Sequence, residues 1–206
     1  PLIKESVTGA LFALLRLLEG EALERARACY RHCADGDLAV AVAQTDVKGD
    51  RSLAPHAQPD PDLYLRVVDQ NDEGLVVRGA KCHTSASANA HELVVLPTRA
   101  MGPGDADWAV SFAVPVATPG LSLYVSPFAA GDRDPFEFPL SHRAKMLESL
   151  TVFDDVLVPW ERVFLCRESD RAGPLALAFV EYHRFTAVSY KLPLLDAFIG
   201  GAAIIA

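Results

Sequence analysis

Apolar residues near the start of the chain recur at the spacing of an α-helix. These positions are Leu11, Leu14, Leu15 and Leu18. The same spacing resumes after Gly20, so the pattern predicts helix over residues 5–33 with an interruption at this glycine. The polar stretch at residues 34–37 is typical of a helix end.

From residue 38 onwards the pattern changes to short apolar stretches in which polar and apolar residues alternate. Such stretches predict β-strands, and polar turn residues such as those at 71–74 separate them. The predicted strands are residues 38–43, 63–68, 75–77, 91–97, 109–114, 121–125 and 151–158. Most of the 14 prolines also fall in this region, which is typical of the many loops of a β-barrel or a β-sandwich.

A helical pattern returns near Gly173 and Pro174, where proline suits the first turn of a helix. Pro193 is expected to break or kink this helix, and a second apolar helix is predicted over residues 194–206. The last residues are apolar and carry no capping group, which leaves apolar surface without a partner. We therefore expect the chain to be a fragment, or one whose missing core comes from another copy or another polypeptide.

Composition and charge narrow the class of protein. The chain has 206 residues, of which 50% are hydrophobic and 22% charged, and its mean hydropathy of +0.17 is typical of a packed globular protein. The net charge of −8 argues against nucleic acid and against an anionic membrane surface as partners. No apolar run reaches the roughly 18 residues of a membrane span, and the first residues do not form a signal peptide, so we expect a cytoplasmic protein.

The four cysteines are too few and too scattered for a disulfide framework. Only Cys29 and Cys33 are closely spaced, one helical turn apart. No second pair of cysteines or histidines stands at a suitable spacing, so we interpret these two as half-buried side chains. The sequence itself predicts no metal site.

Two polar segments in the strand region are candidates for ligand contacts. In residues 43–52, Thr45, Ser52 and the amides around Gly49 offer donors for a cofactor ring or a phosphate, and Lys48 and Arg51 add positive charge. The alternative is a solvated surface loop.

In residues 77–91 a strand leads into a run of small hydrogen-bonding side chains. Hydroxyl and amide donors of this kind tune a flavin ring. Taken singly, a histidine such as His83 or His91 is more commonly an ordinary hydrogen-bonded or exposed imidazole.

A third candidate lies on the C-terminal helix, at residues 181–191. His183, Ala187 and Tyr190 share one helix face, with Lys191 beside it. An imidazole, a phenol and an ammonium in one place are suited to acid–base chemistry or to holding a charged substrate. The alternative is an amphipathic helix with a core tyrosine and a surface lysine.

Several ordered motifs resemble one branch of a known flavoprotein family. They are residues 46–52, 60–68, 77–85, 95–101, 109–115, 146–164 and 181–186. They resemble the 4-hydroxybutyryl-CoA dehydratase/vinylacetyl-CoA isomerase branch of the 4-hydroxyphenylacetate 3-hydroxylase (HpaB-like) large-component family. The resemblance extends from about residue 38 to the end of the chain.

The resemblance implies an α+β, multi-domain protein with the acyl-CoA dehydrogenase-like fold. In that fold a central β-barrel is flanked by helical segments, and FAD lies between the barrel and a C-terminal helix bundle. Residues 1–37 match the end of the N-terminal helical domain, 38–168 the barrel and 169–206 the start of a truncated bundle.

The resemblance also implies roles for particular residues. FAD contacts are expected at Ala43, Gln44, Thr45, Gly49, Asp50, Arg51, Ser52, Cys82, His83, Thr84 and Ser85. Thr84 is expected next to the isoalloxazine ring. The catalytic residues of the dehydratase match His183, Glu148 and Lys191, and in that enzyme the histidine is a ligand of a [4Fe–4S] cluster.

This sequence departs from the dehydratase pattern on the helix that carries His183. Ala187 and Tyr190 stand where the dehydratase has a tyrosine and a cluster-binding cysteine. A phenol is a poor substitute for a thiolate on iron–sulfur, so we expect the [4Fe–4S] cluster to have been lost. The hydroxylase branch matches less well, because Ala41 and Val42 occupy the place of its histidine ahead of the FAD loop.

The leading hypothesis is an FAD-dependent isomerase or dehydratase-like enzyme that acts on a short acyl-CoA. His183 is the candidate base, Glu148 a second acid–base group or its orienter, and Lys191 an electrostatic partner. One alternative is a reduced-flavin-dependent hydroxylase of a small aromatic substrate. Another is a non-catalytic, split or degenerate subunit. In each case we expect a homo-oligomer, or a companion chain that supplies the remaining helices.

Overall fold

The computed structural model describes residues 2–126, 134–139, 142 and 147–206, and among them three long helices and eight strands. The helices are α1 (Leu2–Leu17), α2 (Gly20–Asp35) and α3 (Ser169–Ile205). The strands are β1 (Val40–Ala43), β2 (Arg66–Gln70), β3 (Gly74–Ser85), β4 (Glu92–Val95), β5 (Val110–Pro115), β6 (Leu121–Val125), β7 (Glu148–Pro159) and β8 (Val163–Cys166). The predicted mixture of helices and strands is therefore present.

The strands form two four-stranded sheets rather than the closed barrel that the resemblance implies. The strand orders are β1-β4-β5-β8 and β2-β3-β7-β6. Strands β1 and β4 run parallel, whereas the other pairs are antiparallel. An isolated bridge between Asp46 and Lys81 connects the two sheets beyond the end of β1. The expectation of a barrel is therefore corrected to a pair of sheets within the described residues.

The first sheet is covered on both faces, so its strands are apolar nearly throughout. On β4, Leu93 and Val95 face a core shared with the second sheet, whereas Val94 faces a core shared with the helices. Between the sheets, the Phe112 and Phe153 rings meet edge to face, with centroids 5.8 Å apart. Such strands lack the polar–apolar alternation of a half-exposed strand.

The predicted N-terminal helix is two helices, because the chain turns between Leu17 and Gly20. Gly20 has a φ of +56°, in the left-handed region that glycine adopts at little cost. Strands β3 and β7 each extend to 12 residues, longer than predicted, and β8 was missed. The two long strands pair with each other across a bulged register, which a single-strand pattern does not reveal.

Helix α3 passes through both of its prolines and is bent by 43° between Ser169–Ser189 and Lys191–Ile205. Pro193 cannot donate to the carbonyl four residues earlier, at Ser189, which explains a bend at this point. Among the described helices, none is by itself long and apolar enough to cross a membrane. Within the part of the chain that the structure describes, one bent pair, the two arms of α3 taken together, meets that length and composition.

The two arms of α3 differ in burial. In the first arm Ala172, Leu175 and Phe179 are buried in the helix core with α1. In the second arm Phe198 is 70% exposed and Ile204 is 88% exposed. The first arm is therefore fixed against the rest of the chain, and the second presents apolar surface.

Candidate functional site

The candidate site lies at the edge where the parallel strands β1 and β4 both end. Ala43 pairs with Val95 in the last register position, and the Leu96 amide donates to the Ala43 carbonyl at 3.1 Å. The segments 44–52 and 96–99 both leave from this edge. Because the carboxyl ends of parallel strands meet at one side of a sheet, the two segments are neighbours there.

A buried ion pair lies directly beneath this edge. The Lys81 Nζ atom is 2.8 Å from Asp46 Oδ1 and donates to the Gln44 and Leu96 carbonyls, each at 3.0 Å. The Asp46 carboxylate also accepts from the Leu65 amide at 3.0 Å. Burial raises the pKa of Asp46 and lowers the pKa of Lys81, while the attraction between them opposes both shifts. Lys81 therefore fixes the backbone at the ends of both strands.

Above the edge, α3 and Gln44 enclose a groove of about 640 Å³. It is lined by Gln44, Phe179, Val180, His183, Arg184, Ala187, Val188, Lys191, Leu192 and Leu195. The Gln44 Nε2 atom is buried and finds no hydrogen-bond partner among the described residues. The groove thus combines apolar walls with a few polar groups, which is the usual composition of a small-molecule site. It also brings Gln44, His183 and Lys191 together, three residues from two distant segments.

His183 is oriented by its own helix. Its imidazole stacks on the Phe179 ring, with centroids 5.5 Å apart and planes 14° from parallel. Burial lowers the pKa of His183 from its ordinary value of 6.5, and the positive charges of Lys191 and Arg184 lower it further. At pH 7 the imidazole is therefore neutral and able to accept a proton.

The buried side chain of Gln58, which is only 7% exposed, fixes the loop at residues 48–52. The Asp50 amide donates to Gln58 Oε1 at 3.1 Å, and Gln58 Nε2 donates to the Asp50 carbonyl at 2.7 Å. Ser52 donates to the Asp50 carboxylate from both its amide and its hydroxyl, which lowers the pKa of Asp50. Gly49 has a φ of +53°, and a Cβ there would meet Gln58 Oε1 at 2.6 Å. Asp50 and Ser52 thus shape the loop itself.

The predicted segment 82–85 lies beside the ends of β1 and β4, but its side chains differ in their contacts and burial. The Cys82 amide donates to the Thr45 carbonyl at 2.8 Å, and its thiol donates to the Asp46 carbonyl at 3.4 Å. Burial raises the pKa of the Cys82 thiol. Thr84 is fully buried and accepts from the Thr151 hydroxyl at 3.0 Å. Ala43 is likewise fully buried in β1.

Glu148 is placed with two other predicted residues and is not among those lining the groove. Its carboxylate lies 3.4 Å from His83 Nδ1 and accepts from the Ser85 hydroxyl at 3.4 Å. This contact follows from the register of β3 and β7, in which Ser85 pairs with Glu148. The roles expected for Glu148 and Thr84 stay predictions.

Sequence reasoning missed two buried polar groupings beside the site. One is the Lys81–Asp46 pair, for which a signal existed: Lys81 continues the inward-facing series Leu75, Val77 and Gly79 on β3. The other is a chain of buried hydroxyls. Its members are Ser87, Ser149, Thr151 and Thr84, joined by contacts of 2.7, 3.0 and 3.0 Å. This chain depends on strand register, which no pattern within one strand reveals.

The two closely spaced cysteines lie away from the groove, on α2. Cys29 and Cys33 share a hydrogen bond that raises the pKa of Cys29 and lowers the pKa of Cys33. The charge of Glu92 raises both pKa values, and the charge of Arg162 lowers them. Within the part of the chain that the structure describes, no three His, Cys, Asp or Glu side chains are grouped so as to hold a metal ion.

Comparison with known proteins identifies the family. The model of the 4-hydroxyphenylacetate 3-hydroxylase N-terminal family matches residues 7–165. A 4-hydroxybutyryl-CoA dehydratase/vinylacetyl-CoA-Delta-isomerase of Clostridium aminobutyricum is 42% identical over 180 residues, covering 85% of this chain and 37% of the relative. The 4-hydroxyphenylacetate 3-monooxygenase oxygenase component of Thermus thermophilus is 36% identical over 189 residues, covering 91% of this chain and 39% of the relative. The chain belongs to this family, as its motifs predicted, and spans about two fifths of the length of these relatives.

Solved structures give the same result for the fold. An archaeal 4-hydroxybutyryl-CoA dehydratase from N. maritimus has a TM-score of 0.83 and 31% identity, covering 98% of this chain and 41% of that chain. The HpaB oxygenase component complexed with FAD has a TM-score of 0.81 and 33% identity, with the same coverage. The predicted acyl-CoA dehydrogenase-like fold class and the prediction of an FAD-dependent family are therefore confirmed.

Proposed function

We propose that this chain binds FAD at the groove between Gln44 and α3. The observation that carries the proposal is the buried Gln44 Nε2, a donor that finds no acceptor among the described residues. A buried amide donor without an acceptor is costly, and the acceptor atoms of a flavin ring remove that cost. The residues at this edge are therefore suited to the flavin.

The size and lining of the groove fit the same ligand. Its volume of about 640 Å³ falls in the range of small-molecule sites. Phe179, Leu192 and Leu195 provide apolar surface for an aromatic ring system. When bound, FAD supplies an electron-accepting ring, and the remaining chemistry belongs to the side chains that surround it.

For the reaction we propose isomerisation of a short β,γ-unsaturated acyl-CoA to the α,β-unsaturated thioester. His183 takes a proton from the carbon next to the thioester carbonyl and returns it to the γ carbon, so the double bond moves without net oxidation. Lys191 lies in the same groove and stabilises the negative charge that develops on the carbonyl oxygen. Glu148 enters as a second acid–base group only if the substrate reaches its contact with His83.

This reaction needs no iron–sulfur cluster. Ala187 and Tyr190 stand where the related pattern has a tyrosine and a cysteine, so a thiolate ligand is missing from this helix. We propose that the chain works without a [4Fe–4S] cluster.

The test is an assay of vinylacetyl-CoA isomerisation with the FAD-loaded chain. His183→Gln is expected to lower turnover by roughly two orders of magnitude or more, which is typical of losing a general base. The matched control is His91→Gln, because His91 is an exposed histidine that accepts from the Ala39 amide away from the groove. Equal turnover in wild type and His183→Gln would remove His183 from the reaction.

A second candidate is hydroxylation of a small aromatic substrate with reduced flavin. The Thermus thermophilus oxygenase component supports it, since it matches 91% of this chain at 36% identity. The candidate requires oxygen consumption that depends on a phenol and on a source of reduced flavin. Vinylacetyl-CoA isomerisation without such oxygen consumption favours the first proposal.

The exposed second arm of α3 supports a proposal about assembly. Phe198, Ile199 and Ile204 are 70%, 59% and 88% exposed. We propose that helices of a second copy or of a companion chain cover this arm. We also propose that the chain has three structural parts, at residues 1–37, 38–168 and 169–206. Sedimentation of the chain alone tests the first possibility, and a rise in FAD uptake on adding a companion chain tests the second.

A further inference from the structure

Two cysteines on α2 are in mutual contact and have no part in the flavin proposal. Cys29 and Cys33 stand four residues apart, about one helical turn, so their side chains lie on the same face of the helix. The Cys29 thiol donates a hydrogen bond to the Cys33 sulfur, which raises the pKa of Cys29 and lowers the pKa of Cys33. Both are free thiols, so two neighbouring sulfur atoms are available for chemistry.

This pair lies where α2 packs against the rest of the chain. Cys33 is 7% exposed and belongs to the core of the helices, and the partly buried Cys29 packs against the same core. Beside them the buried Glu92 carboxylate accepts from Arg162 Nη1 at 2.9 Å and lies 3.3 Å from His32 Nε2. The charges of Glu92 and Arg162 oppose each other at both sulfurs. The hydrogen bond between the thiols is therefore the main cause of the difference between their pKa values.

The other two cysteines of the chain have different surroundings. The Cys82 thiol donates to the Asp46 backbone carbonyl at 3.4 Å. Burial is the largest influence on the pKa values of Cys82 and Cys166, and it raises both. Because the thiolate and not the thiol is the nucleophile, Cys33 is the cysteine of this chain that is best suited to react.

We infer that Cys29 and Cys33 form a redox-active dithiol, which hydrogen peroxide oxidises to a disulfide within α2. A nucleophilic thiolate next to a second thiol is the usual arrangement of a reversible cysteine redox site. Peroxide is the class of oxidant that fits, because it is small enough to reach a side chain that is 7% exposed. The inference is independent of the proposed function, since neither cysteine lines the groove at Gln44.

The oxidation takes place in two steps. The Cys33 thiolate attacks one oxygen of hydrogen peroxide, the O–O bond breaks, and the hydroxide that leaves takes up a proton to become water. Cys33 is then a sulfenic acid. The Cys29 sulfur attacks the Cys33 sulfur, the S–S bond forms, and the S–O bond breaks as a second water leaves with the Cys29 proton. In total two thiols are oxidised to one disulfide, and one peroxide is reduced to two waters.

Helix geometry predicts that this disulfide is easily reduced again. Side chains four residues apart in a helix have Cβ atoms about 5–6 Å apart. A disulfide needs a Cβ separation of about 3.5–4.5 Å. Cys33 lies near the end of α2, which stops at Asp35, so the last turn must tighten to bring the two Cβ atoms together. A disulfide that forms against such resistance is of the labile kind, which a glutathione pool reduces.

The test is peptide mapping of the 206-residue chain after treatment with hydrogen peroxide. Trypsin cuts after Arg31, between the two cysteines, so the disulfide is detected as residues 28–31 joined to residues 32–48. We expect this joined pair, and a fall from four free thiols to two when they are counted in urea. Millimolar glutathione should restore all four. Linkage between two chains, or a sulfinic acid at one cysteine without any linkage, would overturn the inference.

Two double variants provide matched controls. In Cys82→Ser/Cys166→Ser, peroxide should consume both remaining thiols at the wild-type rate. In Cys29→Ser/Cys33→Ser, the remaining thiols should react more slowly by roughly tenfold or more, because burial raises the pKa of each. Equal rates of thiol loss in the two double variants would overturn the inference. The map of the wild-type chain decides the question even if a variant fails to fold.

Discussion

Two sets of polar side chains meet at the ends of β1 and β4, and they differ in how they are partnered. Below the edge, Lys81 Nζ has three oxygen partners within 3.0 Å, one of them on Asp46. Above the edge, Gln44 Nε2 has no partner among the described residues, and Arg51 and Arg99 line a second cavity of about 250 Å³. The lower set is complete without a ligand, whereas the upper set is not.

At the same strand ends, therefore, one set of polar groups stabilises the fold and the other set is available to a ligand. Buried polar groups that stabilise a fold are satisfied inside it, since an unsatisfied one costs about 1–3 kcal/mol. Groups that bind a ligand keep hydrogen-bonding capacity for it. The comparison therefore predicts large stability effects below the edge and small ones above it.

The largest effect is expected for Lys81→Met. Removing the ammonium leaves the Asp46 carboxylate buried without its counter-charge, so the free energy of unfolding should fall by about 3–5 kcal/mol. Urea denaturation followed by circular dichroism measures it. The double variant Lys81→Met/Asp46→Leu should recover part of the loss, because it removes both charges. A loss below about 1 kcal/mol in the single variant would show that the pair does not hold the edge.

A smaller effect is expected for Thr151→Val in the buried hydroxyl chain. Thr151 donates to Thr84 and contacts the Ser149 hydroxyl at 3.0 Å, so a methyl group in place of its hydroxyl leaves both without that partner. The expected loss is about 1–3 kcal/mol of unfolding free energy. The exposed Ser122→Ala on β6 serves as the comparison and should change stability by less than about 0.5 kcal/mol. Equal losses in the two variants would show that the buried hydroxyl contacts of Thr151 do not stabilise the fold.

His183 should make stability depend on pH. Its pKa in the folded chain lies below the ordinary 6.5, so between these two values the unfolded chain binds more protons. The free energy of unfolding should therefore fall as the pH is lowered through 6.5. The contribution of His183 to this free energy is fully present above that pH. Subtracting the pH profile of His183→Gln from that of the wild type isolates it. A difference that is flat from pH 7.5 to 5 would contradict the lowered pKa.

The smallest stability effects are expected above the edge. Arg51→Gln and Arg99→Gln remove exposed cations that form no ion pair with a described carboxylate, so each should change the free energy of unfolding by less than about 0.5 kcal/mol. Thermal unfolding checks this. A loss above about 1 kcal/mol would assign these side chains to the fold rather than to a ligand.

Much of the fold followed from periodicity because helices and half-exposed strands leave regular patterns. The pattern failed where tertiary contacts decide. Strand β8 is a short apolar stretch covered on both faces, so it lacks alternation. Strand β3 continues past Val77 through Gly79 and Lys81, and a strand rule based on apolar residues ends the strand before these two positions. The break near Gly20 was visible as an interruption, but its left-handed conformation was not.

As with the fold, part of the candidate site could be predicted from the sequence. Family resemblance selected Gln44, His183 and Lys191, and the fold brings these three into one groove. It could not indicate that Asp46 and Lys81 lie in contact across 35 positions of sequence, or that Arg99 joins Arg51, since both depend on how β1, β3 and β4 end in space. Such long-range pairings are set by topology, not by local pattern.

The measurement that tests the account most directly is an FAD titration of the chain, followed by flavin absorbance and fluorescence, in wild type and Gln44→Leu. The account predicts saturable binding with an altered flavin spectrum by the wild type. It also predicts affinity lowered by roughly tenfold in Gln44→Leu, with no loss of unfolding free energy in the ligand-free chain, because the variant removes a buried donor without an acceptor. Equal affinity in the two proteins, or no spectral change with either, would contradict the claim that the unpartnered amide at the strand ends belongs to a flavin site.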